Sequence, residues 1–171
     1  MARNVEIKAR LDDLQTRIAA AARLADGPGE TIEQEDVFYR CDSGRLKLRL
    51  FADGRGELIH YRRPDSAGPK TSDYVVIGVT DPTGLRALLD RALGVTGVVR
   101  KVRRLFRVGR TRIHLDTVEG LGDFLELEVV LADGEDSAIG EREATGLMTR
   151  LGIDDRARVG AAYIDLLTPA S

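Results

Sequence analysis

Five short stretches of this chain place a charge at every second residue, with both signs represented. They are Asn4-Val5-Glu6-Ile7-Lys8, Arg45-Leu46-Lys47-Leu48-Arg49-Leu50, Lys101-Val102-Arg103, Arg112-Ile113-His114-Leu115-Asp116 and Phe124-Leu125-Glu126-Leu127-Glu128. Cations two residues apart repel each other unless an anion sits among them, so such rows suit a polyanion. Carboxylates at the same spacing stand about 7 Å apart along a strand, a reach that one hydrated hard cation bridges. Ligands that are all oxygen favour magnesium, manganese or calcium over zinc. The chemistry in view is a divalent metal and a multiply charged anion held together.

Strands must position these groups. Alternate side chains point to opposite faces, so each stretch has one apolar face to bury and one ionic face. An ionic face turned to water makes an ordinary half-solvated sheet. A sheet closed on itself instead gathers cations and carboxylates into one interior. The pattern predicts strands at about 2–10, 30–40, 45–52, 57–63, 72–79, 97–107, 111–118 and 124–131. Helices are expected from Asp12 or Asp13 to Leu24, after Asp81-Pro82 until Gly94, from Ser137 to Leu151, and from Asp155 to Leu167. Pro64 to Thr71, with two prolines and a glycine, reads as a loop that contains Lys70. With no repeat and no long linker, residues 1–171 read as one α+β domain.

Composition narrows the function classes. The 171 residues are 43% hydrophobic and 32% charged, the profile of a globular chain rich in charge. A net charge of −2 supplies no bulk basic field, so neither nucleic acid nor a membrane surface is an expected partner. Cys41 is the only cysteine, which excludes an internal disulfide and a thiolate metal cluster and suits the cytoplasm. No dinucleotide fingerprint, phosphate loop or nucleophile-elbow serine occurs, and His60 and His114 lack helical metal spacing.

The ordered set of motifs resembles the CYTH proteins, members of the triphosphate tunnel metalloenzymes, and most closely their class IV adenylyl cyclase-like group. Asn4-Val5-Glu6-Ile7-Lys8 resembles the opening E-x-E-x-K motif. Gln34-Glu35-Asp36-Val37-Phe38-Tyr39, Leu46-Lys47-Leu48-Arg49, Tyr61-Arg62-Arg63-Pro64-Asp65, Lys101-Val102-Arg103 and the run from Leu115 to Glu128 follow in the family's order. The resemblance implies an eight-stranded antiparallel closed β-barrel, a tunnel with a charged lumen and helices packed outside. It implies phosphate-binding roles for Lys8, Lys47, Arg49, Arg63, Lys101, Arg103 and Arg112, although sequence does not separate Arg63 from Arg62. Glu6, Glu126 and Glu128 resemble the metal carboxylates, with Asp116 as a helper, and Mg2+ or Mn2+ as the implied cofactor. Catalytic roles fall to Lys8, Glu6 and Asp116.

Asn4 departs from the pattern, since a neutral amide stands where the family has its first glutamate. Either it binds a cation through its oxygen with one charge fewer, or it lies at a frayed strand mouth. His114 is expected to make a structural hydrogen bond or relay a proton, Tyr163 to pack, and Lys70 to reach over the substrate or sit exposed. The expected partner is a small triphosphate, and the chain is expected to act as a monomer or homodimer. Three outcomes stay open: hydrolysis of the terminal phosphate, conversion of ATP to cyclic AMP and pyrophosphate, or polyphosphate binding without turnover.

Overall fold

The computed structural model describes residues 2–168. Eight antiparallel strands form a closed barrel in the order β1-β5-β4-β3-β2-β6-β7-β8, with β8 returning to β1. The strands are β1 (Ala2–Arg10), β2 (Glu30–Tyr39), β3 (Arg45–Phe51), β4 (Gly56–Arg62), β5 (Lys70–Val79), β6 (Val95–Val108), β7 (Thr111–Val118) and β8 (Gly122–Val130). Closure leaves no unpaired sheet edge, and it makes the pleat alternation an inside–outside alternation.

The odd-numbered apolar residues of β1, β7 and β8 point outward. Val5, Ile7, Ile113, Leu115, Leu125 and Leu127 are buried there with Leu147, Met148 and Leu151. That core lies beneath α1 (Leu14–Leu24) and α3 (Ser137–Arg150). On the other side, Val37, Tyr39 and Leu48 pack with Leu89 of α2 (Pro82–Ala92). Asp13 and Asp81 cap α1 and α2 by accepting from the backbone N–H groups of Thr16 and Gly84, at 3.0 and 2.9 Å. Each fully buried Leu or Ile contributes about 1.5–3 kcal/mol of transfer free energy, so the outer cores are what hold the ionic face inward. No helix among the described residues is long and apolar enough to cross a membrane.

The expected last helix from Asp155 to Leu167 is not continuous. A single 3-10 turn covers Asp155–Ala157, an extended strap follows, and α4 is confined to Tyr163–Leu167. The strap binds the barrel end instead of itself: Val159 N–H donates to the Lys8 carbonyl at 2.9 Å, and Arg158 bridges to Ala9. Gly160 fits because a Cβ there would stand 2.8 Å from the Ser66 backbone. Those β1 and loop contacts lie far away in sequence, beyond what helical periodicity registers.

Candidate functional site

Side chains from all eight strands line one cavity of about 930 Å³ inside the barrel. Two cradles of the same construction face it. In one, Asp36 of β2 is the register partner of Arg49 of β3. The Asp36 carboxylate accepts from Arg49 Nε at 2.8 Å and Nη2 at 3.1 Å, and from Lys47 Nζ at 2.7 Å. In the other, Asp116 of β7 opposes Arg103 of β6. It accepts from Arg103 Nε and Nη2, both at 2.7 Å, and from Lys101 Nζ at 2.9 Å. Each cradle thus sets two cations on one carboxylate, leaving a net positive charge and fixed donor geometry.

The electrostatics follow from burial and pairing. Burial alone would push the Asp36 carboxyl up, but Arg49 and Lys47 outweigh it and hold it well below the usual carboxylate range. Asp116 is lowered in the same way, with Arg103 and Lys101 overcoming its desolvation. Burial brings the Lys47 ammonium down to about 8 although Asp36 opposes the shift. Lys101 moves down as well, from burial and from Arg103 beside it.

A third cluster, rich in carboxylates, joins β1, β7 and β8. Register pairs Lys8 with Glu126, Glu6 with Glu128, and His114 with Glu126. Lys8 Nζ lies 3.5 Å from Glu126 Oε2, Arg112 Nη2 lies 2.7 Å from Glu128 Oε2, and Arg63 Nη1 lies 3.4 Å from Glu6 Oε2. Glu6 is raised to about 7 by burial and then by Glu126, with Arg63 opposing. Glu126 and Glu128 go the other way. Lys8 and the His114 hydrogen bond outweigh burial at Glu126, and His114 and Arg112 outweigh it at Glu128. One donor atom each from His114, Glu126 and Glu128 lie within 4.8 Å of one another. Donors this close, two of them ionised oxygens, fit a single divalent cation.

The residues named from sequence fall into these clusters. Lys47, Arg49, Lys101 and Arg103 form the cradles, while Lys8, Glu6, Arg63, Arg112, Glu126 and Glu128 gather at the acidic end. Asp116 is saturated by Lys101, Arg103 and Tyr163, which gives it the place of a buried counter-ion. Asn4 is not at a frayed mouth. It sits in the ladders with Ser72 and Val130, is 4% exposed, and keeps a buried Oδ1 without a hydrogen-bond partner. Arg63 lines the cavity, whereas Arg62 is exposed and hydrogen-bonds Ser43, so the ambiguity between them resolves to Arg63.

Lys70 corrects the loop assignment. It opens β5, is 3% exposed, and donates to the Ser66 carbonyl at 3.0 Å and to the Gly160 carbonyl at 2.5 Å. The prolines before it mask a strand start that faces Glu6 across the ladder. Tyr163 does more than pack: its hydroxyl donates to Asp116 at 3.1 Å, and its ring lies 4.0 Å from Lys8 Nζ and 4.8 Å from Lys101 Nζ. Asp36 escaped assignment, though its place opposite a Lys-x-Arg row on an adjacent strand was the available signal. The chain has four lysines, Lys8, Lys47, Lys70 and Lys101. Three line the cavity and Lys70 is buried beside it, so primary amines are concentrated at this site.

Residues 2–163 match the model of the CYTH domain. The chain belongs to the CYTH family. This CYTH chain is 27% identical over 158 residues to the Adenylate cyclase CyaB of Aeromonas hydrophila, an overlap covering 87% of this chain and 80% of that protein. A solved protein from Pyrococcus horikoshii superposes with a TM-score of 0.85 at 26% identity, covering 95% of this chain and 98% of its own. A Hippeastrum protein, whose structure is described as revealing a dominant triphosphatase activity, superposes at 0.68 with 19% identity. That alignment covers 95% of this chain and 94% of the other, and it shows the shared fold.

Proposed function

We propose that this chain is a divalent-metal-dependent enzyme that binds a triphosphate in the barrel lumen and hydrolyses its terminal phosphate. One observation carries the reading: two preorganised cation cradles, Lys47–Arg49 and Lys101–Arg103, face a cavity that also holds the acidic cluster of β1 and β8. Fixed cations in a site screened from water stabilise charge on transferring phosphoryl oxygens without reorganising during the reaction.

Glu126 and Glu128 would hold the cation, with Glu6 and the Asn4 oxygen nearby. When bound, a divalent metal polarises the phosphates and offsets charge developed in the transition state. The cradles clamp the phosphate chain, and Arg63, Arg112 and Lys8 orient the carboxylates beside it. Glu6, raised to about 7 by burial and neighbouring carboxylates, is poised to accept a proton from an attacking water. No protein nucleophile is required, and direct in-line attack is the economical route.

The Hippeastrum neighbour's dominant triphosphatase activity supports hydrolysis, and the Aeromonas relative's name supports the second reading, cyclisation of ATP. The same lumen serves either, because they differ in whether water meets the terminal phosphorus or a ribose hydroxyl meets the first. Pure protein incubated with tripolyphosphate, thiamine triphosphate or ATP, with Mg2+ or Mn2+, separates them. Phosphate release is expected. Cyclic AMP with pyrophosphate would move the assignment to cyclisation, and binding without turnover would make the chain a polyphosphate-binding module.

A further inference from the structure

His114 makes the expected hydrogen bond, a long one between Nδ1 and Glu126 Oε1, and the same nitrogen also faces a second carboxylate. Nδ1 lies 3.4 Å from Glu126 Oε1 and 3.8 Å from Glu128 Oε1. Both separations exceed the usual 2.7–3.2 Å range for N–H···O, and one ring nitrogen faces two acceptors. These two separations match the spacing of about 3–4 Å between neighbouring donors around a divalent cation bonded at about 2.0–2.2 Å, within a set of three donors that lie within 4.8 Å of one another.

The remaining oxygens are already committed. Glu126 Oε2 faces Lys8 Nζ at 3.5 Å, and Glu128 Oε2 takes Arg112 Nε at 2.9 Å and Nη2 at 2.7 Å. Cations therefore anchor the outer oxygen of each carboxylate, while both inner oxygens turn toward the same imidazole nitrogen, and Arg103 Nη2 also stands 3.5 Å from the inner oxygen of Glu126. Supporting groups of this kind fix ligand orientation in metal sites. The ring itself is 3% exposed, and its strand neighbours Ile113 and Leu115 lock it from the outer core.

We infer that His114 Nδ1 coordinates the lumen cation directly, forming with Glu126 and Glu128 a one-nitrogen, two-oxygen site that selects Mn2+ and Co2+ over Mg2+. The inference rests on the lumen holding a divalent cation, as the proposed function requires. Carboxylate and water satisfy magnesium, which dehydrates reluctantly and keeps near-ideal oxygen octahedra. An imidazole ligand shifts preference toward transition metals, with cobalt above manganese in the usual order of affinities.

The test is Mn2+ bound to the full-length protein without substrate, followed by pulsed electron paramagnetic resonance. A hyperfine coupling from directly bonded ¹⁴N is expected in the wild type and in His60→Asn, whose ring lies on the other face. His114→Asn places an amide oxygen close to the position of Nδ1. It should abolish the coupling and lower the ratio of Mn2+ to Mg2+ affinity on the order of tenfold. Mn2+ bound without a nitrogen coupling in the wild type would overturn the assignment of His114 while leaving Glu126 and Glu128 as a metal site. A protein that binds no Mn2+ would overturn both this assignment and the metal dependence on which it rests. The wild-type spectrum decides even if the substituted protein fails to fold.

Discussion

Arg103 and Asp116 are register partners on neighbouring strands, joined by two hydrogen bonds of 2.7 Å each. Arg49 and Asp36 repeat the arrangement one strand pair away, where β2 meets β3, with a lysine two residues before the arginine in both cases. A buried ion costs several kcal/mol unless it is paired and hydrogen-bonded, so each aspartate makes a row of lumen cations tolerable before any anion arrives.

Asp36→Asn therefore leaves Lys47 and Arg49 short of a counter-charge. The expected loss is about 3–5 kcal/mol of folding stability, the scale for breaking a buried pair. Tripolyphosphate should recover part of it by mass action. Denaturant unfolding with and without tripolyphosphate checks both, and an unchanged midpoint would remove the cradle argument.

The four lysines make the site visible to amine chemistry. Brief acylation followed by peptide mass spectrometry should modify Lys47 and its lumen neighbours in free protein. Saturating tripolyphosphate should suppress that modification severalfold, in keeping with direct occupation of the cradle. Equal labelling in both states would place the anion elsewhere.

Two pH trends of opposite sign are expected from Lys47, which burial brings from 10.5 to about 8. Between those values the unfolded chain binds a proton that the folded chain has lost, so this group makes the free protein more stable as pH rises from about 8 to about 10. Lys70, lowered to about 8 by burial and by Arg63, acts in the same direction. Tripolyphosphate affinity falls over that interval, because a neutral amine no longer attracts the anion. Calorimetric titrations at several pH values read the second trend, and Lys47→Arg should flatten it.

Glu126→Gln keeps the shape of the side chain and removes one ionised oxygen from the acidic cluster. Metal-dependent turnover should fall at least a hundredfold, the upper scale for disturbing a metal site, with far-ultraviolet dichroism unchanged. Phosphate release at the wild-type rate would contradict the role given to Glu126.

Much of the barrel is legible in the chain because the alternation at Glu6, Lys47, Arg49, Arg103 and Glu126 is also the alternation of the pleat. Closure and strand order depend on long-range register, and here the family resemblance supplied what periodicity lacks. Asp36 and Tyr163 show the other limit. Asp36 matters because β2 lies beside β3 in the register that faces it to Arg49, and Tyr163 because a strap folds back across Lys8. Lys70 was obscured by local chemistry, since nearby prolines signalled a loop while its burial comes from pairing with β1. Asn4 reads as a departure at either level, but only the ladders on both sides of it show that its oxygen is buried and unpartnered.

In the proposed reading the charged cavity receives the triphosphate. A crystal structure of the protein with a non-hydrolysable triphosphate and Mn2+ decides whether it does. Phosphate oxygens bonded to Lys47, Arg49, Lys101 and Arg103, with the cation on Glu126 and Glu128, are the predicted result. A triphosphate bound on the outer surface, with Asp36 and Asp116 still the only anions in their cradles, would contradict it.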